Sequence, residues 1–228
     1  MKGFDPNKTT DIETIEYNNS PSTEEGAIDM FVCRLYKYHI ENWEEEKKEI
    51  LKALPGEKNV KEYEEDIHTD FFDNSRSRRL PTYADLIIDI VSPCIEDLQS
   101  RLPGGGDTKL LIHQCWMGVD NMWYQTEYKG QQHMLHNHGN IGWSCVLYVN
   151  YNPEVHTSTR FLSPYGVGSG RGGGLEWYQP DIKEGDFIIF DSSIPHEALP
   201  NESDEKRTII SMNFQTAPMI PIKQFRTK

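Results

Sequence analysis

The spacing of apolar residues changes character near the middle of the chain. From His39 to Leu54 the segment HIENWEEEKKEILKAL sets Ile40, Trp43, Ile50 and Leu51 near one side, with Glu44, Glu45, Lys47 and Lys48 largely opposite. This period predicts an amphipathic helix ended by Pro55-Gly56. A second helix is expected over about 82–101, where Leu86, Ile87, Ile90, Val91, Cys94, Ile95 and Leu98 recur at three- and four-residue intervals and Pro93 could introduce a kink. After Pro103-Gly104-Gly105-Gly106 the helical period gives way to short β-branched and aromatic runs separated by Gly, Pro, Asn and Asp. Strands are expected at Cys115–Tyr128, Ser144–Tyr151, Thr159–Leu162, Leu175–Gln179, Asp186–Asp191 and Thr208–Gln215.

Short, closely spaced strands of this kind suit a closed or sandwiched antiparallel barrel, so the fold expected is mainly β with flanking α-helices. Residues 1–106 read as an N-terminal arm and supporting helices packed on the barrel, and 107–228 as the barrel core, within one structural domain of ordinary size. Residues 1–28, rich in Asn, Thr, Ser, Pro and acids, read as a loosely held arm.

Composition narrows the function. Against 23 Lys and Arg stand 36 Asp and Glu, a formal net charge of -13, which repels nucleic-acid backbones and anionic membrane surfaces. No nucleic-acid or membrane partner is therefore expected. The first 17 residues carry scattered charges and no 18-residue apolar run occurs, so a soluble, cytoplasmic protein is the expectation. Cys33, Cys94, Cys115 and Cys145 lie far apart without a C-x-x-C pair, which reads as reduced thiols.

The chemistry concentrates in histidine. His133, His136, His138 and His156 fall within 24 residues, and His136-Asn137-His138 is the informative pattern. At the end of an extended segment, side chains two apart share a face, so two imidazoles can converge on one metal. A third ligand would come from His196, delivered by the end of the apolar strand Phe187–Phe190. Imidazole suits iron, zinc, copper and nickel alike. Arg207 opens the next strand, where a buried guanidinium needs an acid, and a co-substrate dicarboxylate would supply one in bidentate geometry.

The order His136-x-His138, Val146-Leu147-Tyr148-Val149-Asn150, Gly174-Leu175, Glu184-Gly185-Asp186-Phe187-Ile188-Ile189-Phe190, His196 and Arg207 resembles the prolyl-hydroxylase-like iron(II)/2-oxoglutarate oxygenases over roughly residues 115–216. The resemblance implies a double-stranded β-helix, also called a jelly roll or cupin-like barrel. It implies iron(II) on His136 and His196, with 2-oxoglutarate and molecular oxygen as co-substrates. It further implies an Arg207 clamp on the far carboxylate of 2-oxoglutarate, assisted by Tyr148, with Tyr128 in a turn near the co-substrate. The implied reaction is hydroxylation of a C–H bond in a small-molecule or peptide substrate, a prolyl residue included, with release of succinate and carbon dioxide.

The sequence departs from the family's usual His-x-Asp, since His138 stands where the carboxylate would be. The third ligand could be His138 itself, a carboxylate such as Asp191 or Glu176, or water. A cupin of another class is the rival, because Gly130 followed by His136-x-His138 fits the first half of a cupin metal motif and Gly185, His196 and Asn201 loosely match the second. Such a protein would be a thiol dioxygenase, an isomerase or a metal-dependent binding module. Arg207 and Tyr148 favour the oxygenase, as does the lack of a cupin glutamate after His138. Outside the cluster, His39, His68 and His113 read as structural, while His133 and His156 either line the pocket or pack. The run Gly166–Gly174 is either a connection or a lid carrying Arg171 over the substrate. Trp143 and Trp177 are the aromatics with potential substrate contact.

Overall fold

The computed structural model describes residues 33–56, 67–73, 79–101, 115–140, 142–164 and 176–218. Two antiparallel sheets face one another. The strands are β1 (Leu35–His39), β2 (His68–Thr69), β3 (Cys115–Glu127), β4 (His133–His136), β5 (Trp143–Asn150), β6 (Arg160–Leu162), β7 (Trp177–Tyr178), β8 (Asp186–Asp191), β9 (His196–Ala198) and β10 (Arg207–Pro218). The larger sheet has the order β1-β8-β5-β10-β3-β2 and the smaller β4-β9-β6-β7. Helices α1 (Trp43–Ala53) and α2 (Ala84–Arg101) precede most of the strands.

Alternation along the strands of the larger sheet sorts its side chains into two layers. Leu147, Val149, Phe187, Ile189, Ile210, Met212 and Phe214 point to one face and pack with Ile50 of α1 and Ile87, Val91, Ile95 and Leu98 of α2. Val146, Tyr148, Ile188 and Phe190 point to the other face, where they meet Phe161 of the smaller sheet. Burying side chains of this size stabilises by about 1.5–3 kcal/mol each, so both faces of β5, β8 and β10 are committed to the core. This is the sandwiched antiparallel arrangement expected from the strand pattern, and the jelly roll that the family resemblance implies, with helices backing one sheet.

The N-terminal half contributes more than helices. His39, read as the start of a helix, instead ends β1, which pairs with β8 from Leu35↔Phe190 to His39↔Asp186. Sheet pairing with a buried partner strand overrides the local helical period, and Asn42 (φ 52°) turns the chain into α1. Leu51 is 47% exposed, because it lies about 100° round the helix from the fully buried Ile50. Helix α2 runs unbroken through Pro93. The strands β4 and β9, too short to show a period, were not expected as strands. The arm 1–28, His113 and the glycine run with Arg171 lie outside the described residues.

Gly185 is a close approach between the helical layer and the barrel. Its φ is +85°, and a Cβ there would sit 2.7 Å from Trp43 of α1. Gly185→Ala is accordingly expected to cost roughly 1–3 kcal/mol, from the left-handed backbone and from overpacking. A lowered thermal midpoint with metal binding retained is the expected result; an unchanged midpoint would show that Trp43 does not press on this turn.

Candidate metal centre

The histidine cluster is built where the smaller sheet meets the larger. Strand β4 pairs with β9 so that His136 stands directly opposite His196. Two residues on, past the end of β4, His138 donates its backbone N–H to the Ser192 carbonyl in the β8–β9 turn. The side chain of Ser192 fastens the same loop a second time, donating to the Gly139 carbonyl at 2.7 Å and accepting from the Gly142 N–H. The His138 loop and the turn leading to His196 thus form one braced unit.

Potential ligand atoms of His136, His138 and His196 lie within 4.8 Å of one another. Each Nδ1 is already committed. His136 Nδ1 lies 2.7 Å from the Met134 carbonyl and His196 Nδ1 2.9 Å from the Ile194 carbonyl. His138 Nδ1 lies 2.6 Å from Asn213 Oδ1. Carbonyl-type oxygens only accept, so all three Nδ1 atoms carry hydrogen and all three Nε2 atoms present lone pairs. His136 Nε2 is buried with no hydrogen-bond partner. An orphaned buried acceptor beside two others of the same kind fits a divalent metal, and acceptors on the opposite ring nitrogen are the usual orienting partners of metal-bound histidine.

Burial lowers the pKa of each of these imidazoles. For His196 the pKa falls to about 3, from burial first and then the neighbouring His136, with the Ile194 carbonyl opposing. Burial likewise holds His136 and His138 below the ordinary histidine value. His133 stacks on His136 with ring centroids 4.0 Å apart, and burial together with the adjacent imidazoles takes it down to about 3. The cluster is neutral at physiological pH, which is the ligating form.

Of the three alternatives for the third ligand, the geometry brings His138 into the triad. Asp191 is exposed and accepts from Ser193, and Glu176 is exposed and outside the cluster. Asn213 explains the choice of residue. Its Nδ2 donates to Asn121 Oδ1 at 2.7 Å, which turns Oδ1 toward His138, where Ser144 also donates to it. That oxygen welcomes an imidazole N–H and would repel a carboxylate.

The cavity beside the triad is lined by Trp123, Val146, Thr159, Phe190, Ile209 and Ser211 among others. Arg207 does not line it directly but shares the inward face of β10 with Ile209 and Ser211. The acid that it faces is Glu127 of β3, at 2.5 Å from Nε, rather than an acid left to be supplied from outside. Tyr148 is fully buried, its hydroxyl donating to Thr159 Oγ1 at 3.0 Å, and Tyr128 packs edge-on against His68. His156 is structural: its Nδ1 accepts from the Asn152 N–H and its Nε2 donates to the Glu205 carbonyl. Trp143 packs on Tyr36 and Trp177 carries Arg160 over its ring, so of these tryptophans it is Trp123 that lies beside the triad, 5.8 Å from His138. Asn213 and Glu127 escaped the sequence reading because their partners lie across strand pairs.

Asn213→Ala removes the acceptor that orients His138 and is expected to weaken binding of a divalent metal about 10–100-fold. Titration of the metal-free protein with cobalt(II), followed by its visible absorption, measures this. Unchanged affinity would mean that His138 does not contribute a ligand.

Comparison with known proteins agrees with this geometry. Residues 121–213, somewhat under half of the chain, match the model of the family described as "Putative 2OG-Fe(II) oxygenase". No curated protein is similar in sequence. Among solved structures, the α-ketoglutarate-dependent epimerase SnoN from nogalamycin biosynthesis, in complex with Fe3+, α-ketoglutarate and nogalamycin RO, is similar at 12% identity and a TM-score of 0.54, over 81% of this chain and 81% of that one. A Pseudomonas putida prolyl-4-hydroxylase is similar at 15% identity and a TM-score of 0.51, over 79% of this chain and 91% of that one. The carbocyclase SnoK, also α-ketoglutarate-dependent and from nogalamycin biosynthesis, is similar at 12% identity and a TM-score of 0.50, over 84% and 86% of the two chains. Identities this low speak for a shared fold, and among the described residues no helix is long and apolar enough to cross a membrane. Residues 121–213 are thus similar to the 2OG-Fe(II) oxygenases, the jelly-roll is shared with solved structures of that kind, and the three histidines that could hold a metal lie within the matched residues.

Proposed function

We propose that the protein is a dioxygenase in which His136, His138 and His196 hold a single ferrous iron and Arg207 receives the far carboxylate of 2-oxoglutarate, for hydroxylation of a C–H bond in a small-molecule or peptide substrate. The observation that carries this reading is the convergence of three neutral imidazoles, one buried and two half-buried, whose Nδ1 hydrogens are already donated, with His136 Nε2 left without a partner. When bound, iron and 2-oxoglutarate together supply dioxygen reduction, with the oxo-acid leaving as succinate and carbon dioxide and one oxygen atom passing to the substrate.

The chain's own residues set the conditions for that chemistry. Phe161 and Phe190 flank His196, with ring centroids 6.0 and 4.8 Å away, and keep water from its inner side. Trp123, Val146 and Ile209 make much of the remaining wall apolar, which strengthens charge interactions inside it. Arg207 is the cation whose strand face leads into the cavity, and its charge reaches His133, whose pKa it helps to lower. Arg160, by contrast, alternates outward from Phe161 and pairs with Glu197. Tyr148, through Thr159, braces the wall next to Arg207. Three neutral imidazoles leave iron with one more unit of positive charge than two histidines and a carboxylate would, which favours an anionic chelator in the open positions.

Met134, 69% exposed, and Leu135, 46% exposed, stand between His133 and His136 on the edge strand β4. Their position at the rim suits an apolar portion of the substrate. A prolyl residue within a peptide fits this as the leading candidate for the hydroxylated group.

Anaerobic addition of iron(II) and 2-oxoglutarate is expected to produce a weak visible charge-transfer band, and Arg207→Ala to require at least about tenfold more 2-oxoglutarate for the same band. Bound iron without any band would point instead to cupin-type chemistry without an oxo-acid.

A further inference from the structure

The guanidinium of Arg207 has no N–H to spare. Its Nε donates to Glu127 Oε2 at 2.5 Å, Nη2 to Glu127 and to the Leu199 carbonyl, and Nη1 to the Thr157 carbonyl and hydroxyl. Both members of the ion pair are 3% exposed. Glu127 is held in turn by Gln125, which donates to its other oxygen at 2.8 Å. Gln125, one step along the inward face of β3 from Glu127, lines the cavity beside the histidines. The space free in that cavity is about 20 Å³, room for roughly one water molecule and far too little for a five-carbon dicarboxylate.

We infer that Glu127 is an internal stand-in for the co-substrate's far carboxylate: it occupies the bidentate face of Arg207 until 2-oxoglutarate exchanges one carboxylate for the other, and it thereby sets the affinity for the oxo-acid. The inference rests on Arg207 being the clamp. An incoming carboxylate meets a guanidinium already neutralised, so its binding is opposed by the charge that it must displace. The exchange is carboxylate for carboxylate and breaks no covalent bond. Gln125 gives Glu127 an alternative partner on the cavity side, and turning Glu127 away opens space on the Arg207 side. Burial raises the pKa of Glu127, and the pairing with Arg207 and Gln125 works against that rise.

The test is 2-oxoglutarate affinity in manganese(II)-loaded protein, read by isothermal titration for the wild type, Glu127→Gln, Glu127→Asp and Arg207→Gln, with thermal unfolding run on each. Glu127→Gln keeps shape and hydrogen-bonding capacity but removes the competing charge, and it should bind 2-oxoglutarate at least about tenfold more tightly. Glu127→Asp keeps the charge but draws it back by one methylene, and should fall between the two. Arg207→Gln should bind at least about tenfold more weakly than the wild type. If Glu127→Gln and Glu127→Asp, both folded, bind no more tightly than the wild type while Arg207→Gln binds weakly, Glu127 only orients the clamp and the inference is wrong, though the clamp stands. If Arg207→Gln binds as the wild type does, the clamp itself is misassigned, and the proposal for Glu127 falls with it.

Discussion

A buried neutral imidazole must give its N–H to something, and the architecture of this protein turns on where three such hydrogens go. Met134 and Ile194 offer backbone carbonyls two residues before His136 and His196, and Asn213 offers its amide oxygen across the sheet to His138. These bonds fix the tautomers, leave each Nε2 as the free acceptor of its ring in a cluster whose ligand atoms lie within 4.8 Å of one another, and leave His136 Nε2 unpartnered. The rest of the barrel serves that arrangement. The β4–β9 pair sets His136 opposite His196, Ser192 ties the His138 loop to the turn before His196, and the Asn121–Asn213 contact keeps the amide from reversing.

Much of this was legible in the sequence. The change of period after residue 106 announced a β fold, and the spacing of His136, His138 and His196 announced that these three side chains could meet, because alternation along strands is set by covalent geometry. Less legible was whatever depended on a partner strand. His39 sits in a helical pattern yet joins β1, since the buried β8 offers it a better set of hydrogen bonds than a helix end does. The short strands β4 and β9 carry no period of their own and exist through their pairing. Asn213 looked like one polar residue on a core strand, and Glu127 like an acid before a turn; only the register Asn213↔Asn121 and Arg207↔Glu127 gives them roles. The same limit applied to the aromatics, where Trp123 rather than Trp143 or Trp177 lies beside the triad.

The site combines two departures that bear on each other. On the proposed function, a histidine in place of the usual carboxylate would make the metal centre more positive, while Glu127 neutralises Arg207. Both would alter how 2-oxoglutarate is drawn in under that proposal, the histidine end attracting it more and the Arg207 end less. Structures of similar fold include an epimerase, a carbocyclase and a prolyl hydroxylase, so the fold alone does not choose the reaction. Here the rim presents Met134 and Leu135 and, beside the triad, His133.

The most direct test of the account is a crystal structure grown anaerobically with iron(II), with the metal located by its anomalous scattering. The account predicts one iron peak within bonding distance, about 2.1 Å, of Nε2 of His136, His138 and His196, with each Nδ1 still on its oxygen partner. Iron held by only two of these histidines, with His138 swung away from Asn213, would contradict it.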